Sequence, residues 1–154
     1  MKKLIYIIIL IWALIAGSVT AYNEIILSRG KEILLKVMPV DPRDFLRGDY
    51  VTLRYDINTF KRNNDLHGNV YVVLGKNPDE TYGIERITYQ KPKTEIFLKG
   101  EKYGKRIDYK SIQQYFVQEG EGRKLEKQLA KGGLARISVD KNGNARIKEI
   151  IVSE

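Results

Sequence analysis

The sequence predicts a mainly β fold: a mostly antiparallel, barrel-like domain hung from one N-terminal transmembrane helix. Three observations predict it. Residues 4–16 (LIYIIILIWALIA) form an uncharged apolar run directly behind Lys2 and Lys3. Beyond Gly30 the apolar residues recur with period two, the pattern of strands with one buried face. Clusters of Gly, Asn, Asp and Pro separate these stretches at short intervals, as turns between strands require. One short helix near residues 121–131 is the exception.

The N-terminal run, extended through Ala21, would measure about 27 Å as a helix at roughly 1.5 Å per residue. That nearly spans a hydrocarbon core, and Ile25–Leu27 can lengthen it before Gly30 ends it. The same residues also fit a cleaved export signal, with a Lys-Lys start, a short apolar core and the small residues of Val19-Thr20-Ala21. In either form Lys2 and Lys3 favour a cytoplasmic N-terminus. Arg29, Lys31 and Lys36 oppose that rule from the far side, but a long folded domain crosses largely regardless of its charge. The expected organisation is an anchor and connector over residues 1–30 and an extracytoplasmic β-domain over residues 31–154.

Glu32–Val40 (EILLKVMPV) reads as the first strand, stopped by Pro39 or Pro42. Asp49–Ile57 alternates cleanly, with Val51, Leu53, Tyr55 and Ile57 on one face and Tyr50, Thr52, Arg54 and Asp56 on the other. Thr59–Gly68 (TFKRNNDLHG) is polar and turn-rich, a loop at a hairpin tip. Asn69–Leu74 is the next strand and Gly75–Glu80 the next turn. Further strands are expected near Ile84–Tyr89, Thr94–Lys99 and Ile112–Val117. In Glu121–Lys131 (EGRKLEKQLAK), Leu125 and Leu129 stand four apart among charges, the spacing of one helix face, and Gly132-Gly133 stops it. Leu134–Val139 and Ala145–Val152 flank Asn142-Gly143, a two-residue hairpin signal.

Asp41–Ile57 (DPRDFLRGDYVTLRYDI) is the densest stretch of chemistry-bearing residues. A tight corner accounts for it: Gly48 permits a sharp turn, Asp41, Asp44 and Asp49 accept backbone N–H groups, and Arg43 or Arg47 pair with them. The same residues would equally form a binding surface of Asp44, Arg47, Asp49, Tyr50 and Arg54. Glu119 and Glu121, at the entry to the helix, are a second candidate patch.

Several chemistries lack their residues. With no cysteine, neither disulfides nor thiolate sites exist. His67, the one histidine, lies in a polar loop with no GxSxG or HExxH context around it. No acidic loop has calcium spacing. Glu119-Gly120-Glu121-Gly122 lacks a Walker lysine, and its carboxylates would repel a phosphate. No cofactor and no metal are expected. The net charge of +8 suits an anionic lipid surface, an acidic envelope polymer or an acidic protein face. Nucleic acid is not expected as a partner outside the cytoplasm.

Gly48-Asp49-Tyr50-Val51-Thr52-Leu53-Arg54-Tyr55 matches the pattern after which the bacterial GDYXXLXY proteins are named, with Gly48, Asp49, Tyr50, Leu53 and Tyr55 as its fixed positions. Residues 37–57 (VMPVDPRDFLRGDYVTLRYDI) resemble that family's lead-in. Residues 114–126 (QYFVQEGEGRKLE) resemble its second recurring stretch, with Gln118 where proline is common. The resemblance implies a single-pass, membrane-anchored protein, some relatives being encoded beside a polytopic membrane protein. It favours the anchor over the cleaved signal, and it carries no activity onto named residues. The expected partners are the membrane itself and a polytopic membrane protein or other envelope component.

A weaker likeness is to the β-domain of signal-peptidase-like serine proteases, which place a nucleophilic serine in the loop before a Gly-Asp strand. Here that place reads Met38-Pro39-Val40-Asp41, with no serine or threonine from Lys31 to Val51, so the mechanism lacks its nucleophile. The expected function is a non-catalytic binding or accessory module. The rivals are an envelope hydrolase, which would need Ser111 or Ser138 beside a desolvated lysine or a converging acid pair, and a basic lipid- or polymer-binding module.

Overall fold

The computed structural model describes residues 2–38, 50–60, 66–118 and 120–152. Among them the chain runs as helix α1 (Lys2–Arg29), strands β1 (Lys31–Met38), β2 (Tyr50–Thr52) and β3 (Arg54–Tyr55), and a 3-10 turn (Asp56–Asn58). It continues through β4 (Gly68–Lys76), β5 (Tyr82–Thr88), β6 (Phe97–Tyr103), β7 (Arg106–Asp108) and β8 (Gln114–Phe116). Helix α2 (Gly122–Leu129) and strands β9 (Gly133–Val139) and β10 (Ala145–Val152) close it. The strands pair antiparallel in the orders β10-β9-β1-β3 and β5-β4-β6-β7, with β2-β8 as a separate ribbon. One sheet curls as a half-barrel.

A single core lies between these sheets. Ile33, Leu35 and Val37 of β1, Val70, Val72 and Leu74 of β4, and Ala135, Ile137 and Val139 of β9 alternate inward and meet there. The period-two pattern therefore marks the buried face in each strand, because successive side chains leave a pleated backbone on opposite sides.

Val51, Leu53, Tyr55 and Ile57 are all buried, as their alternation predicts. Their segment is nevertheless not one strand. Tyr50–Thr52 pairs with β8, Leu53 donates its N–H to the Gln113 carbonyl at 2.7 Å, and Arg54–Tyr55 turns to β1 before the 3-10 turn begins. Alternation reports side-chain direction and is blind to a change of hydrogen-bonding partner. Thr59–Gly68 does not cap a hairpin either: β3 and β4 belong to different sheets, so the segment is a crossover, and residues 61–65 of it lie outside the described residues. β7, only three residues long with one buried side chain, has too short a pattern to be foreseen. At the β9–β10 connection Gly143 has φ 77° and its N–H donates to the Asp140 carbonyl at 3.0 Å. Asp140 Oδ1 also takes the N–H groups of Asn142 and Asn144, each at 2.8 Å. The turn is thus longer than the two-residue form expected from Asn142-Gly143.

α1 is the one helix among the described residues long and apolar enough to cross a membrane. Its apolar side chains from Leu4 to Ile15 project outward on every face. Its last turns, in contrast, belong to the β-domain. Ile26 is 1% exposed, and its carbonyl accepts the Ser138 hydroxyl at 2.6 Å and the Gly30 N–H at 2.9 Å. The Arg146 guanidinium donates to Asn23 Oδ1 through Nε at 3.0 Å and Nη2 at 2.7 Å. Asn144 Nδ2 donates to the Tyr22 hydroxyl at 2.7 Å. A Cβ at Gly30 would stand 2.2 Å from Ser138 Oγ and 2.5 Å from the Ile26 carbonyl, so glycine alone lets the strand leave the helix this closely. Helix α1 and the β-domain are joined without a slack linker.

Candidate functional site

The two stretches singled out in the sequence, 48–55 and 114–126, are far apart along the chain and adjacent in space. β2 and β8 pair as Tyr50↔Phe116, Val51↔Tyr115 and Thr52↔Gln114. α2 follows immediately, with Val117 and Val51 packed around Gly122. The inward face of this ribbon is spent on the core. Val51 and Leu53 are buried there, and Tyr115 and Val117 pack against them as part of the same cluster.

Tyr55 anchors the arrangement. Its hydroxyl donates to the Ile112 carbonyl at 2.7 Å, while the Tyr109 hydroxyl donates to the Ile57 carbonyl at 2.9 Å, and both bonds are buried. Each tyrosine thus reaches across to the segment that carries the other. Asn58 closes the clasp: its Nδ2 donates to the Ile107 carbonyl and its Oδ1 accepts the Tyr55 N–H, both at 2.6 Å. Burial pushes both hydroxyls far above the usual phenol range, so both stay protonated and donate. Tyr55 was legible as a core residue in search of a partner. Tyr109 and Asn58 were not, because neither sits in a periodic run.

The outward face is different. Gln114 is exposed and Phe116 is 74% exposed, and Arg54 on the following strand β3 is exposed with no ion pair among the described residues. Phe116 is the register partner of Tyr50, a large apolar surface residue that the strand pattern did not flag. Glu121 is exposed at the start of α2, its carboxylate 4.0 Å from the Lys124 ammonium, and its carbonyl accepts the N–H groups of Lys124 and Leu125. Asp44, Arg47, Gly48, Asp49 and Glu119 lie outside the described residues. Of the expected surface the structure therefore brings Tyr50, Arg54 and Glu121 into the neighbourhood of one ribbon and adds Phe116.

The residues that a hydrolase would use are engaged otherwise. Ser138 is fully buried on the Ile26 carbonyl, and Ser111 is exposed. The buried Lys102 ammonium donates to the carbonyls of Leu66 at 3.0 Å and Gly104 at 2.5 Å. No hydrogen bond joins either serine to a lysine among the described residues. His67 is exposed, and its backbone N–H and carbonyl both engage the Tyr89 hydroxyl. Among the described residues no three His, Cys, Asp or Glu side chains are grouped to hold a metal ion.

Asp56 is the strained acid of the domain. Half-buried beside Lys36 and Asp79, it has one carboxylate oxygen without a hydrogen-bond partner, and burial raises its pKa. The Lys36 ammonium instead pairs with Asp79 at 2.6 Å and, with Thr81, holds that carboxyl down at about 2.

No curated protein and no solved structure matches the chain. The family comparison does match, over residues 12–150, a span that holds both stretches of the ribbon, the tyrosine clasp and the larger part of α1. The chain belongs to the GDYXXLXY protein family.

Proposed function

We propose that this protein is a non-catalytic accessory module of the bacterial envelope, anchored by α1, whose β2–β8 ribbon docks on another membrane protein outside the cytoplasm. The observation that carries the reading is the division of labour on the ribbon. Its inward residues are consumed by the core, its outward face offers an exposed aromatic ring, Phe116, and the next strand, β3, carries an exposed guanidinium, Arg54, with no ion pair among the described residues. Exposed aromatic and arginine side chains are the residue types that dominate binding energy at protein interfaces. Lys2 and Lys3 at the helix start support the orientation.

The test is photocrosslinking in intact cells from a reactive residue placed at position 116 of the full-length protein, followed by identification of the captured species. A discrete membrane-protein adduct, lost in Arg54→Glu, is the expected result. A smear that is indifferent to Arg54, with the double variant Phe116→Asp/Arg54→Glu retaining all function in vivo, would overturn the reading.

A further inference from the structure

We infer that the foot of the β-domain, where it meets α1, is a binding site for the headgroup of an anionic phospholipid. A cleft of about 620 Å³ opens there between the last turns of α1, the segment before β6 and the β9–β10 turn. Tyr22, Ile25 and Ile26 form its apolar side. Arg29, Lys31, Lys93 and Lys141 also line it, all exposed and none with an ion-pair partner among the described residues.

The acids that share the cleft are already occupied. Both Glu95 oxygens accept from Arg86 Nη2, at 2.7 and 2.5 Å, and the Asp140 carboxylate takes the Asn142 and Asn144 N–H groups and Asn144 Nδ2. Lys91 reaches the rim of the same turn, donating to Asn142 Oδ1 at 2.8 Å. Arg86 balances Glu95, and the four cations Arg29, Lys31, Lys93 and Lys141 outnumber the one remaining carboxylate, Asp140, so the cleft is cationic and a phosphodiester is the complementary group.

Depth selects a lipid as its source. With residues 4–21 seated in the hydrocarbon, Tyr22 falls at its boundary, where tyrosine rings collect. Residues 22–29 then rise about 12 Å at roughly 1.5 Å per residue, through the headgroup layer. The Tyr22–Asn144 bond holds the β9–β10 turn at that level. Acyl chains would lie along Ile25 and the apolar helix below while the headgroup enters between Arg29, Lys93 and Lys141. This site is at the opposite end of β1 from the β2–β8 ribbon, so its failure or success is separate from that of the proposed docking face.

The experiment uses the full-length protein in neutral detergent micelles containing equal phosphatidylglycerol and phosphatidylcholine with identical tails, and native mass spectrometry to count retained lipid. Selective retention of phosphatidylglycerol is expected, falling by roughly thirty-fold in Lys93→Glu/Lys141→Glu, about five-fold per lost cation. It should be unchanged in Lys127→Glu on α2 and weakened by salt. An unchanged thermal melt of the double variant shows that the loss is not unfolding. Equal retention of the two lipids, or equal retention by wild type and the double variant, would overturn the inference. Displacement of the lipid by an equal concentration of inorganic phosphate would also overturn it, since the site would then be one for free anions.

Discussion

Tyr55→Phe is the sharpest test of how the family stretch holds the fold. The substitution keeps the ring and deletes only the hydroxyl that reaches the buried Ile112 carbonyl at 2.7 Å. No cavity of consequence opens, so the effect is that of one hydrogen bond and the acceptor it leaves stranded. A typical net bond contributes about 0.5–1.5 kcal/mol, and a buried group left unsatisfied costs about 1–3 kcal/mol. The expected loss is therefore about 1–3 kcal/mol, read as a lowered midpoint with unchanged slope when the β-domain of the full-length protein is unfolded by urea in neutral detergent. Tyr109→Phe, which strands the Ile57 carbonyl, should cost a similar amount. The two bonds tie the same pair of segments in opposite directions, so the double variant should lose less than the sum by about 0.5 kcal/mol or more. A Tyr55→Phe protein within about 0.5 kcal/mol of wild type would refute the clasp as a structural device.

The acid limb of stability provides a second prediction. Hydrogen bonding to Lys36 and Thr81 depresses the Asp79 carboxyl to about 2, and bonding to Lys148, then Arg136, lowers Glu32. A depressed folded pKa gives stability that is present above the unfolded value near 4 and lost as pH falls toward 2, so the urea midpoint should drop through that window. In Lys36→Met the drop should be smaller. Asp56 has the opposite sign: its raised pKa means the ionised form is disfavoured in the fold, so Asp56→Asn should raise the midpoint at pH 7 and lose that advantage in acid. Gly30→Ala should cost about 1–3 kcal/mol through overpacking, because the Ile26 carbonyl at 2.5 Å is backbone and cannot yield. Faster proteolysis at the helix–strand junction is the measurement. Arg47→Glu with Asp49→Arg should abolish crosslinking from position 116 with little change in the melt.

The parts of this fold that were legible in the sequence are those where one physical rule acts alone. Helix α1 follows from an unbroken apolar run, β1 and β9 from alternation, β4 and β10 from apolar runs bounded by turn signals, and α2 from two leucines one turn apart. The buried face of 51–57 was equally clear. The change of sheet at Leu53 was not, because backbone partners leave no trace in side-chain pattern. Tyr109, Asn58 and Phe116 escaped for related reasons: the first two act through single long-range bonds to carbonyls, and β8 is too short to show a period. The docking of α1 was hidden most completely. Tyr22, Asn23 and Ser138 read as unremarkable polar residues until the strand order brings them together.

The tight join at Gly30 fixes where β1 starts relative to α1. β1 leaves the end of α1 and at its far end pairs Met38 with Arg54 of β3, the strand that follows β2 of the ribbon. Its 8 residues at ~3.3 Å each give about 26 Å along the strand. Under the proposed anchoring, a partner that docks on Phe116 is therefore expected to present a loop or a domain beyond the end of α1 rather than a bare membrane span.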